Sequence, residues 1–291
     1  MRSSRRRSLT SADGGASVDS RPIGMFDSGI GGLTVLHECL LAHPHEDFIY
    51  LGDTGRFPYG PRSIDELKVY AYQIASHLAG KDIKLLVVAC NSATAAALPW
   101  LQEHMETAII GAVHPGAEAA VQTTRSRRLG VMATVATVAS GSYTRAVHSL
   151  DAGIRVFCQP CPDLATMIQN GDVFSREVVD AVSSYAEPLR QAGVDTVILG
   201  STHYPLAAPM IQRALGKEVA LVNSAEEIAR EVGEVLERKD IGNDRGRRGD
   251  IAFFCTGDVE PFAEVGARFL QMPLDDVGKV ELSELERIVL A

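Results

Sequence analysis

The chain has 291 residues, 46% of them hydrophobic and 22% charged. That suits about two domains with buried cores and argues against wholesale disorder. A formal net charge of −9 argues against a general nucleic-acid binder, which would carry a basic domain. No apolar run approaches the roughly 20 residues that span a membrane. The cysteines are Cys39, Cys90, Cys158, Cys161 and Cys255, an odd number in a long chain with no visible secretory signal. A reducing, cytoplasmic setting follows. Cys158-Gln159-Pro160-Cys161 has no second pair and no nearby histidine pair, so no metal is expected.

Residues 1–21 are basic and serine-rich at the start, lack an apolar stretch after the arginines, and are expected to be a disordered tail. Order is expected from Ile23, where a short apolar strand ends at Asp27-Ser28-Gly29. A helix follows, with Leu33, Leu36, Leu40 and Leu41 on one face. The strand Phe48-Ile49-Tyr50-Leu51 ends at Gly52-Asp53-Thr54, and the loop after it carries Pro58-Tyr59-Gly60-Pro61. Ser63 and Glu66 read as a capping box for a helix that Gly80 ends. Then Leu85-Leu86-Val87-Val88-Ala89-Cys90 ends in Asn91-Ser92. The second half repeats the rhythm: Leu129 to Ala133 ends at Thr134, and Val194 to Leu199 ends at Gly200-Ser201-Thr202-His203.

Strands alternating with helices predict βαβ units and mostly parallel sheets. Gly24 and Gly130 match in place, as do Cys90 and Ser201. The expected fold is therefore α/β: two similar lobes with mostly parallel sheets, related by a pseudo-two-fold axis, with the active site in the cleft between them. The expected division is residues 22–115 plus about 226–291 in the first lobe and 116–225 in the second. The segment after Pro273 reads equally as a strand or a short helix.

Ligands of open α/β sheets bind beyond the carboxyl ends of strands. That places Asp27, Cys90, Thr134 and Ser201 around one cleft. Asn91-Ser92 and Thr202-His203 are expected at helix N-termini, where free N–H groups favour the carboxylates of a small anionic ligand. Cys90 is the candidate reactive thiol, and His203 a candidate acid or base. A hydrolase is not indicated, because Gly-x-Ser-x-Gly is absent around Ser201. A nucleotide site is not indicated either, because Thr34 breaks the glycine pattern that starts at Gly29 and no P-loop lysine is present. His43 and His45 read as a solvated turn.

Phe26-Asp27-Ser28-Gly29-Ile30-Gly31-Gly32-Leu33-Thr34-Val35, Gly52-Asp53-Thr54, Pro58-Tyr59-Gly60, Ala89-Cys90-Asn91-Ser92-Ala93 and Leu199-Gly200-Ser201-Thr202-His203-Tyr204-Pro205 together resemble the motifs of the glutamate racemases, in order, from about residue 23 to 270. The resemblance implies a cofactor-independent amino-acid racemase that makes D-glutamate for peptidoglycan, with two cysteines flanking the substrate Cα. It implies a small acidic amino acid as substrate and a homodimer as assembly. By motif, Asp27, Ser28, Tyr59, Gly60, Asn91, Ser92, Thr202 and His203 would hold the substrate, and Cys90 would act on the D-enantiomer. The second cysteine's position is Ser201, and Gln169 stands near where the family carries a glutamate. A serine hydroxyl is a poor proton donor unless a base activates it. Three readings stay open: a racemase impaired or differently activated at Ser201; a one-base enzyme of the same superfamily, a decarboxylase or epimerase using Cys90; and a non-catalytic homologue that binds an acidic amino acid.

Overall fold

A computed structural model describes residues 19–243 and 245–290. The tail expectation for residues 1–18 lies outside the described residues. Within the rest of that stretch, the Asp19 carbonyl accepts from Lys84 Nζ at 2.9 Å and the Ser20 carbonyl from Arg245 at 2.9 Å.

The first unit runs β1 (Ile23–Asp27), α1 (Leu33–Ala42), β2 (Phe48–Gly52), α2 (Ile64–Ala79), β3 (Leu85–Val88), α3 (Asn91–His104) and β4 (Ala108–Gly111). The second runs α4 (Val113–Thr123), which packs on its sheet, β5 (Arg128–Ala133), α5 (Val135–Ser140), α6 (Ser142–Leu150), β6 (Arg155–Pro160), α7 (Leu164–Asn170), α8 (Arg176–Gln191), β7 (Thr196–Gly200), α9 (Ala208–Leu215) and β8 (Ala220–Asn223). The chain then returns to the first unit through α10 (Ser224–Lys239), β9 (Ile251–Cys255), α11 (Val259–Leu270), β10 (Gly278–Lys279) and α12 (Leu282–Leu285). The segment after Pro273 thus holds both a short strand and a short helix.

All strand pairs are parallel. One sheet has the order β10-β9-β2-β1-β3-β4 and the other β6-β5-β7-β8. Removing β9 and β10 leaves β2-β1-β3-β4, which is the second sheet's order shifted by four strands. The repeat seen in the sequence is therefore a repeat of topology: β1 and β5 are the equivalent inner strands, and Cys90 and Ser201 follow the equivalent strands β3 and β7. β1, β3 and β7 are buried at every residue. Covered parallel strands read as unbroken apolar runs for that reason.

Local signals mostly hold. Ser63 Oγ accepts from the Glu66 N–H while the Glu66 carboxylate accepts from the Ser63 N–H, a complete capping box. The α1 face departs from expectation. Leu41 is 66% exposed, while Leu33, Val35, Leu36 and Cys39 are buried. Leu41 lies about 80° around the helix from Leu33 at 100° per residue, outside the arc those residues define. His43 Nε2–H and His45 Nδ1–H donate to the carbonyls of Ala229 and Arg247 at 2.7 and 2.9 Å. They pin the turn after α1 to α10 and to the loop that follows it. Among the described residues no helix is long and apolar enough to cross a membrane, and no group of three or more His, Cys, Asp or Glu could hold a metal ion.

Candidate active site

The carboxyl ends of β1, β3, β5 and β7 converge on one narrow cavity. Ser28, Tyr59, Gly60, Cys90, Asn91, Ser92, Thr134, Ser201, Thr202 and His203 line it, together with Phe57 and Pro58 of the β2–α2 loop and Ala165 and Thr166 of α7. Asp27, the last residue of β1, is fully buried beside these groups. The residues singled out in the sequence are therefore brought together.

Cys90 ends the β3 run and is the N-cap of α3; its sulfur accepts from the Ala93 N–H at 3.4 Å. Ser28 lies close enough to favour the thiolate as well. Burial outweighs both, and with the nearby Asp27 carboxylate it pushes the thiol up to about 12. Asp27 is itself raised to about 6 by burial, against hydrogen bonds from the Gly32 and Gly29 N–H groups and the Thr202 hydroxyl. Those from Gly29 N and Thr202 Oγ1 measure 3.0 and 3.3 Å.

The Ser201 side differs from expectation. No α-helix opens at Thr202-His203. A turn leads to a 3-10 segment, Tyr204–Ala207, and α9 begins only at Ala208. Pro205 and Pro209 stand at the starts of the 3-10 segment and of α9; each lacks an N–H and disfavours helical backbone at the residue before it, which breaks the stretch in two. The anion-binding geometry expected of both turns holds only for Asn91-Ser92. Ser201 Oγ accepts from the His203 N–H at 3.4 Å. Among the described residues no base is hydrogen-bonded to this hydroxyl. The His203 ring is engaged elsewhere: Nε2–H donates to Gln169 Oε1 at 3.0 Å. Phe57 and Phe269 flank the ring at centroid distances of 5.5 and 5.4 Å. Burial lowers the imidazole to about 3, so it is neutral across the physiological range. Gly31 permits this packing; a Cβ there would fall 2.5 Å from His203 Nδ1 and would collide with Thr202 Oγ1.

Polar bonds tie the two units across the cleft. Ser92 Oγ and Thr134 Oγ1 are 2.8 Å apart, and Thr137 Oγ1 joins them at 3.2 and 3.1 Å. The Ala136 N–H donates to the Gly60 carbonyl at 3.0 Å. Thr137 was missed in the sequence. Its spacing from Thr134, N-cap to N3 of α5, is the signal that would have found it. Asp53, quoted in a motif but given no role, is a hub. Its carboxylate accepts from Tyr59 Oη at 2.5 Å, Arg56 Nε at 2.7 Å and Thr256 Oγ1 at 2.7 Å. The Tyr59 hydroxyl is thus committed to Asp53, and the ring is the part that borders the cavity.

A repeated parallel α/β unit closing over a buried thiol, with hydroxyl and amide donors around it, defines the class of amino-acid racemases. Residues 34–232 match the model of the Asp/Glu/Hydantoin racemase family, and the chain belongs to that family. Glutamate racemase of Geobacter metallireducens is 42% identical over 262 residues, covering 90% of this chain and 97% of that protein. The crystal structure of glutamate racemase isoform RacE1 from Bacillus anthracis superposes with a TM-score of 0.88 at 40% identity, covering 91% and 98% of the two chains. That of glutamate racemase from Francisella tularensis in complex with D-glutamate gives 0.84 at 31% identity, covering 91% and 99%.

Proposed function

We propose that the protein interconverts the enantiomers of glutamate in this cleft by α-proton abstraction and reprotonation without a cofactor, as a source of D-glutamate for peptidoglycan, and that it serves the two faces of Cα unequally. The observation that carries this reading is the pair of equivalent turns. One bears a thiol that accepts from the Ala93 N–H with Ser28 beside it, and the other bears a hydroxyl with no base on it. The decarboxylase, epimerase and binding-only readings are not favoured, because the relatives that cover nine-tenths of the chain are glutamate racemases.

Cys90 is the base on the D-enantiomer. Its high thiol pKa belongs to a cleft in which only Asp27 supplies charge nearby. The substrate ammonium brings a positive charge that offsets Asp27 and favours the thiolate. Asn91, Ser92 and Thr134 supply side-chain donors for the substrate carboxylates, Thr202 borders the same space while its hydroxyl donates to Asp27, and Ser28 steadies the sulfur. Ser201 occupies the other face, where its hydroxyl is a weak acid without activation. His203, held by Gln169 and neutral, shapes that face and does not draw the Ser201 proton.

Exchange in heavy water tests this. D-Glutamate loses its α-proton with little inversion, and L-glutamate exchanges on the order of a hundredfold more slowly, the low end of what a positioned acid or base contributes. Comparable exchange and interconversion from both enantiomers would show that Ser201 is as competent as a thiol. Ser201→Cys raises racemisation; if it does not, the Gln169–His203 pair is the block.

A further inference from the structure

Tyr143, on α6, is 2% exposed. Its hydroxyl accepts from Asn91 Nδ2 at 2.8 Å. Its ring edge lies against Gly200, where a built Cβ would sit 3.2 Å from Tyr143 Cε2. One side chain therefore touches the residue after Cys90 and the residue before Ser201. Ser224, the first residue of α10, is 5% exposed. Its Oγ is buried without a hydrogen-bond partner, near the Tyr143 phenol but not bonded to it. A Cβ on Gly116 would fall 2.6 Å from this oxygen, so the serine is closed in from that side.

A phenol has a single proton to give. Toward Asn91 the oxygen of Tyr143 is an acceptor, so its proton must go elsewhere, and the unpartnered Ser224 Oγ is the nearby acceptor. This fixes a direction. Asn91 offers one N–H to Tyr143 and keeps its other N–H and its Oδ1 for the cleft. If the tyrosine proton turned toward Asn91 instead, the amide would flip and present two donors where it now presents a donor and an acceptor. A bound amino acid carries both a carboxylate and an ammonium, so the two arrangements are not equivalent. We propose that Tyr143, backed by Ser224, is a positioning residue that orients the Asn91 amide toward the amino acid bound in the cleft. The proposal rests on Asn91 being a substrate contact, as in the reading above.

The test uses Tyr143→Phe, which keeps the ring against Gly200 and removes only the hydroxyl, with Ser224→Ala and Asn91→Ala beside it. Calorimetric titration with D-glutamate shows affinity falling about tenfold in Tyr143→Phe, one hydrogen bond's worth, and less in Ser224→Ala. The melting temperature of Tyr143→Phe moves little. The double variant Asn91→Ala with Tyr143→Phe binds no worse than Asn91→Ala alone, because both changes break one unit. In the ligand-free wild type, the Asn91 side-chain amide protons exchange slowly with solvent by NMR, and Tyr143→Phe speeds them. Wild-type affinity in Tyr143→Phe, or losses that simply add, overturns the proposal. Failure of the wild type to bind or exchange glutamate overturns the functional reading instead, and the Asn91 amide measurement still decides the positioning.

Discussion

Asp27 and Cys90 are both buried and both carry raised pKa values, but only one of them is charged at neutral pH. Asp27, at about 6, is ionised there; Cys90, at about 12, is not. The carboxylate is thus the charge that the incoming ammonium meets. Exchange of the D-glutamate α-proton should rise with pH through about 6 as Asp27 ionises, and Asp27→Asn should flatten that limb and slow exchange by about a hundredfold. A pH–rate profile that keeps its limb near 6 in Asp27→Asn would assign it to another group. The same shift has a stability sign. The folded carboxyl holds its proton to about pH 6, whereas the unfolded one releases it near 3.8. Its contribution is therefore fully present below about 3.8 and is lost as pH rises through about 6, on the order of 3 kcal/mol in total. Urea melts at pH 4 and 7.5 should show Asp27→Asn relieving that loss.

At the scale of elements, the ends of the strands away from the cleft are held by one buried pair. Lys84, just before β3, and Glu46, just before β2, are 2.6 Å apart with side chains 0% and 4% exposed. Lys84 Nζ also donates to the carbonyls of Asp19 and Ile241 at 2.9 and 2.7 Å, and Glu46 Oε1 accepts from the Asn243 N–H at 2.7 Å. Chain entry, two strand starts and the loop after α10 meet at this point. Lys84→Ala leaves Glu46 buried and uncompensated and should destabilise by about 3–5 kcal/mol in urea titration. Lys84→Met combined with Glu46→Leu should lose clearly less than Lys84→Ala; an equal or larger loss would mean that packing, not the orphaned charge, dominates. Nothing in the sequence marks this pair, because its partners are 38 positions apart and look like ordinary surface residues. The contact of Tyr143 with Asn91, 52 positions apart, hides in the same way. What the sequence does display is confined to one strand and its following turn. Asp27, Cys90, Thr134 and Ser201 are legible because each closes a buried apolar run with a small polar side chain. The His203 turn misled because a polar pair after a strand suggests a helix cap, and only the prolines downstream say otherwise.

Across the whole molecule, the Cys90 and Ser201 turns belong to two different sheets, so the cleft is also a seam. Its enclosed space is only ≈ 20 Å³, room for one or two water molecules and far below a glutamate. Entry therefore requires the seam to part. The bonds that cross it are those of Ser92 Oγ with Thr134 and Thr137, Asn91 with Tyr143, Thr202 Oγ1 with Asp27, Thr34 Oγ1 with the Thr202 carbonyl and the Ala136 N–H with the Gly60 carbonyl. All but the one to Asp27 join neutral groups, each worth about 1 kcal/mol net, so the closed form dominates. Alkylation of Cys90 reports the opening. With the half-buried Cys158 replaced by serine, Cys90 in the native protein should react with iodoacetamide on the order of a hundredfold more slowly than in the urea-unfolded chain. D-Glutamate should slow it further. Because burial of the thiol also suppresses reactivity, the deciding variant is Thr134→Ala, which removes the hydroxyl bond across the seam and leaves the sulfur's own donors in place. It should speed labelling about three- to tenfold, the equivalent of roughly 1 kcal/mol in the opening equilibrium. A labelling rate unchanged by Thr134→Ala would mean that access to Cys90 runs by a path that leaves the seam closed.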